Sequence, residues 1–389
     1  MKIFNRKINS SFLVRSLGLF LFFASMQLTT WLPLRYWRIW GGGNFIDMQQ
    51  ILQWSRCYEI QGNLVFENEG ECSGYIYGST LLKILSFLKV GATHTQIFGY
   101  LFMLILATTI SVNLNNLKNH SYSSLIMLIV ISPPVLLLSE RGNFDILIFA
   151  LIFLAGLFFS KDLHFLALIP LALATLLKFY SFPLFLLFFI LSESKKLKLL
   201  TLVVGTTVFI RVLLDLQLIQ TSFPSGYSWK FGASIWTRYL TQLEIPDSGE
   251  VVNNISGMVI LFFTVLITKL LLKRKNLMTL PSNTSHREKR IVFYCLFLIH
   301  LSCFLLGMNF DYRLIFLAMA SIIYLTTIHK ERDTSSTLVL VLTLISVWLT
   351  YPSTGLEPVG DFTTEILTVI LAIRFLQLIK LDIRLWYAK

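Results

Sequence analysis

Apolar runs long enough to cross a lipid bilayer recur along almost the whole chain, and no other feature restricts its fold as strongly. A span of the hydrocarbon core needs about 20 predominantly apolar residues in a helix, because the backbone must satisfy its own hydrogen bonds there. Apolar runs, most of them close to that length, lie near 12–33, 96–113, 122–139, 143–160, 163–177, 180–192, 197–214, 255–272, 291–308, 311–328, 335–351 and 362–380. Of the 389 residues, 55% are hydrophobic and only 14% charged, and mean hydropathy is +0.70. A soluble domain carries roughly 25% charged residues, so an ordinary soluble enzyme, a disordered tail and a nucleic-acid module are excluded. The prediction is an all-α polytopic membrane bundle of about 12 spans, one domain over 1–389. The bundle itself must then hold the function.

The net charge of +12 does not call for a nucleic-acid partner, since in a membrane chain Lys and Arg collect in cytoplasmic connections. The first run follows Lys2, Arg6 and Lys7 and lacks a small-x-small cleavage pattern, so it reads as a retained helix with a cytoplasmic amino terminus. Alternating spans then place Lys118, Lys161, Lys195, Lys273, Arg287, Lys330 and the tail residues Lys380 and Arg384 on the cytoplasmic side, with both termini.

Two extracytoplasmic segments, 34–95 and 215–254, are too long for simple turns, and long ordered loops usually carry function. Cys57 and Cys72 share the first of them, where oxidation is permitted, while Cys295 and Cys303 fall within one apolar run. A Cys57–Cys72 disulfide is expected, closing about 15 residues and stabilising that loop by roughly 3 kcal/mol. Two free thiols are the alternative.

In the same loop, 44–58 has helical periodicity, with Ile51, Trp54 and Tyr58 on one stripe and Gln49, Gln53 and Arg56 on another. Asp47 falls on the apolar stripe. An acid turned toward protein or bilayer suits a general base better than a solubilising charge. The competing reading is a carboxylate that interacts with its own helix's amino terminus. Glu67, Glu69 and Glu71 read as a solvated loop.

Three basic residues break the positive-inside pattern at short outer turns: Arg141, Lys178 and Arg313. A lipid phosphate at the outer interface gives such charges a reason. Snorkelling, or local pairing of Arg313 with Asp311 and of Arg141 with Glu140, is the alternative. Asn143 and Asp145, beside Arg141, either bind substrate or cap the following helix. Tyr75 and Tyr77, with Trp229 and Trp236 in the second loop, offer faces for sugar stacking, or else pack as an interfacial belt. Lys230 and Arg238 are similarly ambiguous, and His300 reads as a polar residue facing the bundle core. The chain has no Walker A loop, no dinucleotide-binding Gly pattern, no His-Glu-x-x-His and no CxxC, so these motifs give no support for nucleotide hydrolysis, nicotinamide chemistry or zinc proteolysis.

Taken with these residues, the chain resembles the GT-C superfamily of membrane glycosyltransferases, and within it family 87, the polyprenyl-phosphate-mannose-dependent mannosyltransferases. The resemblance rests on Asp47 in the first outer loop followed by Tyr75-Ile76-Tyr77, on Arg141-Gly142-Asn143-Phe144-Asp145 followed by Leu177-Lys178-Phe179-Tyr180, and on Phe310-Asp311-Tyr312-Arg313. The chain departs from the family where Tyr77-Gly78-Ser79 stands for Tyr-Pro-Pro, and where Ser181-Phe182 precede Pro183.

The resemblance implies an extracytoplasmic active site. There a hexose, mannose favoured, passes with inversion from a polyprenyl-phosphate sugar donor to a glycan or glycolipid acceptor. Asp47 would be the base, and Arg141, Lys178 and Arg313 would hold the departing phosphate. No cofactor is implied, and a lone Asp47 argues against a tight protein-built metal site. A transporter or lipid flippase is the rival reading. It would place ionisable groups near the bilayer midplane and show repeats, whereas these groups gather at the outer face. A non-catalytic envelope scaffold is a third.

Overall fold

The computed structural model describes residues 10–28, 44–62, 75, 77–114, 122–218, 230–231, 287–305, 309–310, 313–328, 334–350 and 355–387. The described chain is helical: α1 Ser10–Leu28, α2 Ile46–Gln61, α3 Ser79–Phe87, α4 Thr95–Asn113, α5 Ser123–Val130, α6 Pro133–Arg141, α7 Asp145–Ser160, α8 His164–Leu177, α9 Pro183–Leu191, α10 Lys195–Leu218, α11 Arg287–Leu305, α12 Leu314–Ile323, α13 Thr334–Leu349 and α14 Glu357–Tyr387. Two two-residue strands, β1 Lys230–Phe231 and β2 Asn309–Phe310, pair antiparallel with Lys230 opposite Phe310.

Among the described residues, four helical stretches are long and apolar enough to cross a membrane: Ser10–Gln27, Ala92–Asn113, Ser123–Arg141 and Lys195–Gln217. Five shorter apolar helices accompany them. This fits a membrane protein. The apolar run near 255–272 lies outside the described residues, as do Trp229, Trp236 and Cys72.

The centre of the bundle is α7, whose faces are covered by α4, α8 and α11, with α12 packed on α11. Every residue of α12 is buried. Gly156 lets α7 approach α11 closely, for a Cβ there would lie 3.2 Å from Cys295 Sγ and 3.3 Å from Val292 Cα. By contrast α1 and α10 leave most of their apolar side chains uncovered, including Leu13, Val14, Leu17, Leu202, Phe209 and Ile210. Large exposed apolar surface on whole helices is what lipid contact requires.

The expected run 122–139 is broken into α5 and α6. Pro133 and Pro134 occupy the first helical positions of α6 after Ser132, and proline cannot donate to the preceding turn. Gly142 then ends α6 in the left-handed conformation at φ 58°, which reverses the chain directly into α7. At 16 residues α7 is about 24 Å long, and it separates two polar ends of the bundle. At its far end Arg287 meets Asp162 at 2.9 Å. Nearby, Arg290 holds Asp382 at 2.9 Å, with the Tyr294 hydroxyl donating to Asp382 at 2.8 Å.

Cys57 is disulfide-bonded, and Cys295 and Cys303 are buried thiols that form no disulfide. Cys72, its expected partner, lies outside the described residues.

Candidate functional site

At the near end of the bundle, segments far apart in sequence converge: the start of α2, the α6–α7 turn, the turn after α8, and the residue before α12. Phe45 organises the first of these. Its backbone N–H donates to Glu140 O at 2.9 Å, and its ring lies directly on Gly99 of α4, where any side chain would collide with it. Gly142 gives the ring room on the other side, with a Cβ there only 3.0 Å from it. Phe45 itself is left-handed at φ 62°, a strained conformation for a bulky residue. With Phe45 so held, α2 starts against α6, and Asp47 joins Ile51 on its buried face.

Asp47 does not cap its own helix. Arg141 donates to its Oδ1 and Asn143 Nδ2 to its Oδ2, so both carboxylate oxygens are engaged across the α6–α7 turn. Arg141 therefore pairs with Asp47 and not, as local pairing would have it, with Glu140 alone. A carboxylate accepts about four hydrogen bonds, so each oxygen keeps capacity for a further donor. Asn143 links this pair to the next: its Oδ1 accepts the Asp145 backbone N–H at 2.8 Å and Lys178 Nζ at 3.2 Å. The first of these bonds closes an Asx turn just before α7, whose N-cap position is Phe144.

Asp145 is the hub. Its side chain is 0% exposed and receives Lys178 Nζ at 2.8 Å, Arg313 Nε at 3.1 Å and the Tyr180 hydroxyl. A buried carboxylate is tolerable only when charges and hydrogen bonds replace its water, and here two cations and a phenol do so. Lys178, 1% exposed, is held there by the sharp turn in which α8 ends on an extended residue and Pro183 restarts the helix as α9. Its ammonium lies 4.5 Å above the Tyr77 ring, and the Arg313 guanidinium lies 5.0 Å from the Tyr180 ring, both within cation–π range.

Asp47, Arg141, Asn143, Lys178, Asp145 and Arg313 thus form one continuous polar network, to which Tyr77 and Tyr180 belong. The expected grouping of an acid with three cations is present, but the roles divide differently. Arg141 lies against Asp47. Lys178 and Arg313 lie against Asp145, with Lys178 sealed beneath the surface. Asp145 is enclosed, so it anchors cations and does not itself meet a substrate in this packing. Tyr75 is corrected as a stacking residue: it is fully buried, edge-to-face with Trp54 at 5.2 Å and with Tyr77 at 5.7 Å, so protein covers it. Burial pushes its phenol well above the usual range, Tyr77 and Asp215 adding to the effect, and the neutral hydroxyl donates to Gly78 O at 3.2 Å.

His300 lies in mid-α11, buried, with Nε2 2.8 Å from Thr368 Oγ1, in keeping with a polar core residue. Among the described residues no group of three or more His, Cys, Asp or Glu side chains is placed to hold a metal ion.

One carboxylate escaped sequence reasoning. Asp215, in the last turn of α10, accepts the Ser79 hydroxyl and Arg211, each at 2.8 Å. The signal was available: Arg211 and Asp215 are opposite charges four residues apart at the end of an otherwise apolar run.

An apolar cavity of ≈ 370 Å³ lies to one side of the network, between α9 and α10, lined by Phe182, Phe185, Phe189, Gly205 and Phe209 among others. Phe182 closes the turn that carries Lys178.

No protein-family model, curated protein or solved structure matches this chain. Fold and site together define a helical protein with membrane-length helices and an ionised network at one end of its bundle.

Proposed function

We propose that the chain is a membrane glycosyltransferase of about twelve spans that moves a hexose, mannose favoured, from a polyprenyl-phosphate donor to a glycan or glycolipid acceptor. The observation that carries this reading is the continuous network joining Asp47 to Arg141, Lys178 and Arg313 at the ends of their helices. A transporter would favour charges in mid-span. In this reading both termini are cytoplasmic and the network faces the extracytoplasmic side.

Asp47 takes the proton of the acceptor hydroxyl as its oxygen attacks the anomeric carbon, and the sugar–phosphate bond breaks on the opposite face with inversion. Arg141 and Asn143 orient the carboxylate, leaving its remaining lone pairs for the hydroxyl. The lipid phosphate leaves carrying negative charge, and fixed cations aimed at that charge stabilise it without an acid. Arg313, less buried than Lys178, meets the phosphate. Lys178 supports it from beneath, through Asp145 and Tyr77. The prenyl chain follows the apolar groove beside Phe182, whose lining has no use for a polar ligand.

Membranes containing the protein, offered a panel of polyprenyl-phosphate hexoses, are expected to release polyprenyl phosphate and glycosylate an endogenous acceptor with one of them. No release with any hexose overturns the reading. Arg313→Ala is expected to raise the donor KM roughly 10- to 100-fold, the value of a hydrogen bond to a charged group, with a smaller change for the acceptor. An unchanged donor KM would remove Arg313 from the phosphate.

A further inference from the structure

Asp215 lies across the Lys178 turn from Asp145. It is 1% exposed, and while its Oδ1 is shared by Ser79 and Arg211, its Oδ2 is buried with no hydrogen-bond partner. Arg211 also donates to the Ser79 hydroxyl, closing a triangle between the end of α10 and the start of α3. What Oδ2 faces is Gly78: a Cβ built there would lie 2.8 Å from Oδ2, 2.9 Å from Leu176 O and 3.2 Å from the Phe179 ring. Gly78 has ordinary extended angles, φ −63° and ψ 147°. It is therefore glycine for room and not for backbone freedom. Three chains are wedged at this point: the end of α10, the Tyr77-Gly78-Ser79 entry to α3, and the Leu176–Phe179 turn that delivers Lys178.

We propose that Asp215, with Arg211, is a positioning residue for the candidate site: it clamps the Gly78 entry against the Lys178 turn so that Tyr77 lies over the Lys178 ammonium. The assignment rests on the transferase reading above. A buried carboxylate oxygen without a donor is unfavourable, so packing alone gives no reason to keep an acid here. The carboxylate is useful because it holds both Arg211 and Ser79, from a helix that otherwise contributes no group to the network. Tyr75 completes the clamp by donating to Gly78 O, which fixes the other side of the same peptide.

The test is binding of farnesyl phosphate, a short prenyl phosphate, to the full chain in detergent. The wild type is expected to bind, and Asp215→Asn and Gly78→Ala each to weaken binding about 5- to 10-fold. Tyr77→Leu should weaken it similarly, and adding Asp215→Asn to Tyr77→Leu should cost less than about a further twofold, because the two act in series. A merely structural Asp215 would give losses that multiply. Arg211→Gln, which keeps the carboxylate, repeats the comparison if Asp215→Asn does not fold. Wild-type affinity in both Asp215→Asn and Arg211→Gln, or full multiplication of either loss with that of Tyr77→Leu, overturns the proposal while leaving the transferase reading intact. Failure of the wild type to bind farnesyl phosphate overturns that reading and this one with it.

Discussion

Asp145→Ala is expected to destabilise the protein by about 3–5 kcal/mol, the cost of removing one partner from a buried ionic cluster. The substitution leaves Lys178 and Arg313 facing a site that no longer holds an anion, and it strands the Tyr180 hydroxyl that donated to the same carboxylate. Asp145→Asn keeps the volume and one acceptor and should fall between Ala and the wild type. The matched control is Arg287→Ala at the other end of α7, where the partner Asp162 is 65% exposed. An ion pair of that kind contributes about 0–1 kcal/mol. Unfolding of the purified proteins in mixed micelles, followed by loss of helical signal against denaturing detergent, checks the order. Asp145→Ala as stable as Arg287→Ala would mean that the hub is solvated and the network open.

Asp47→Asn is expected to reduce transfer by about 10²- to 10⁴-fold, the usual contribution of a general base. The structure also sets what this change does to folding. The new amide can still accept from Arg141, but its NH₂ then meets the Asn143 NH₂, so one buried hydrogen bond is lost at a cost of about 1–3 kcal/mol. The loss of activity should far exceed the loss of folded protein. Hexose transfer normalised to protein recovered as a single gel-filtration peak separates the two, and full turnover by Asp47→Asn would remove the base assignment.

Much of this arrangement could be read from the chain. Apolar length located most helices, because a helix in lipid has to be apolar for its whole span. The 3.6-residue period put Asp47 on the buried stripe of α2, and misplaced charge picked out Arg141, Lys178 and Arg313. What was hidden is which charge answers which. Asp145 reads from the sequence as a substrate ligand or a cap and not as a hub, because its partners come from the turn after α8 and from Arg313, and periodicity carries no information about contacts that distant. The same limit concealed that Lys178 is sealed in and that Tyr75 is core and not a sugar platform: an outer-loop tyrosine has the same local sequence in either case. Asp215 was passed over for another reason. It stands at the point where the apolar run stops, so it reads as the first residue of a loop, although Arg211 one turn earlier marks it as half of an ion pair. Pro133-Pro134 marks the break between α5 and α6, a signal that a run defined by hydrophobicity alone does not use.

The central claim is that the ionised network acts on a phosphate-linked sugar and breaks its bond to phosphate. Purified protein in lipid nanodiscs, given a polyprenyl-phosphate hexose labelled in the sugar together with a glycan or glycolipid acceptor, tests it most directly. The predicted result is a labelled glycoside of inverted anomeric configuration and an equal amount of free polyprenyl phosphate, with nucleotide-linked hexose left unused. An intact donor in nanodiscs, accompanied by movement of the same uncleaved donor across the bilayer of reconstituted vesicles, would contradict the account and identify a transporter.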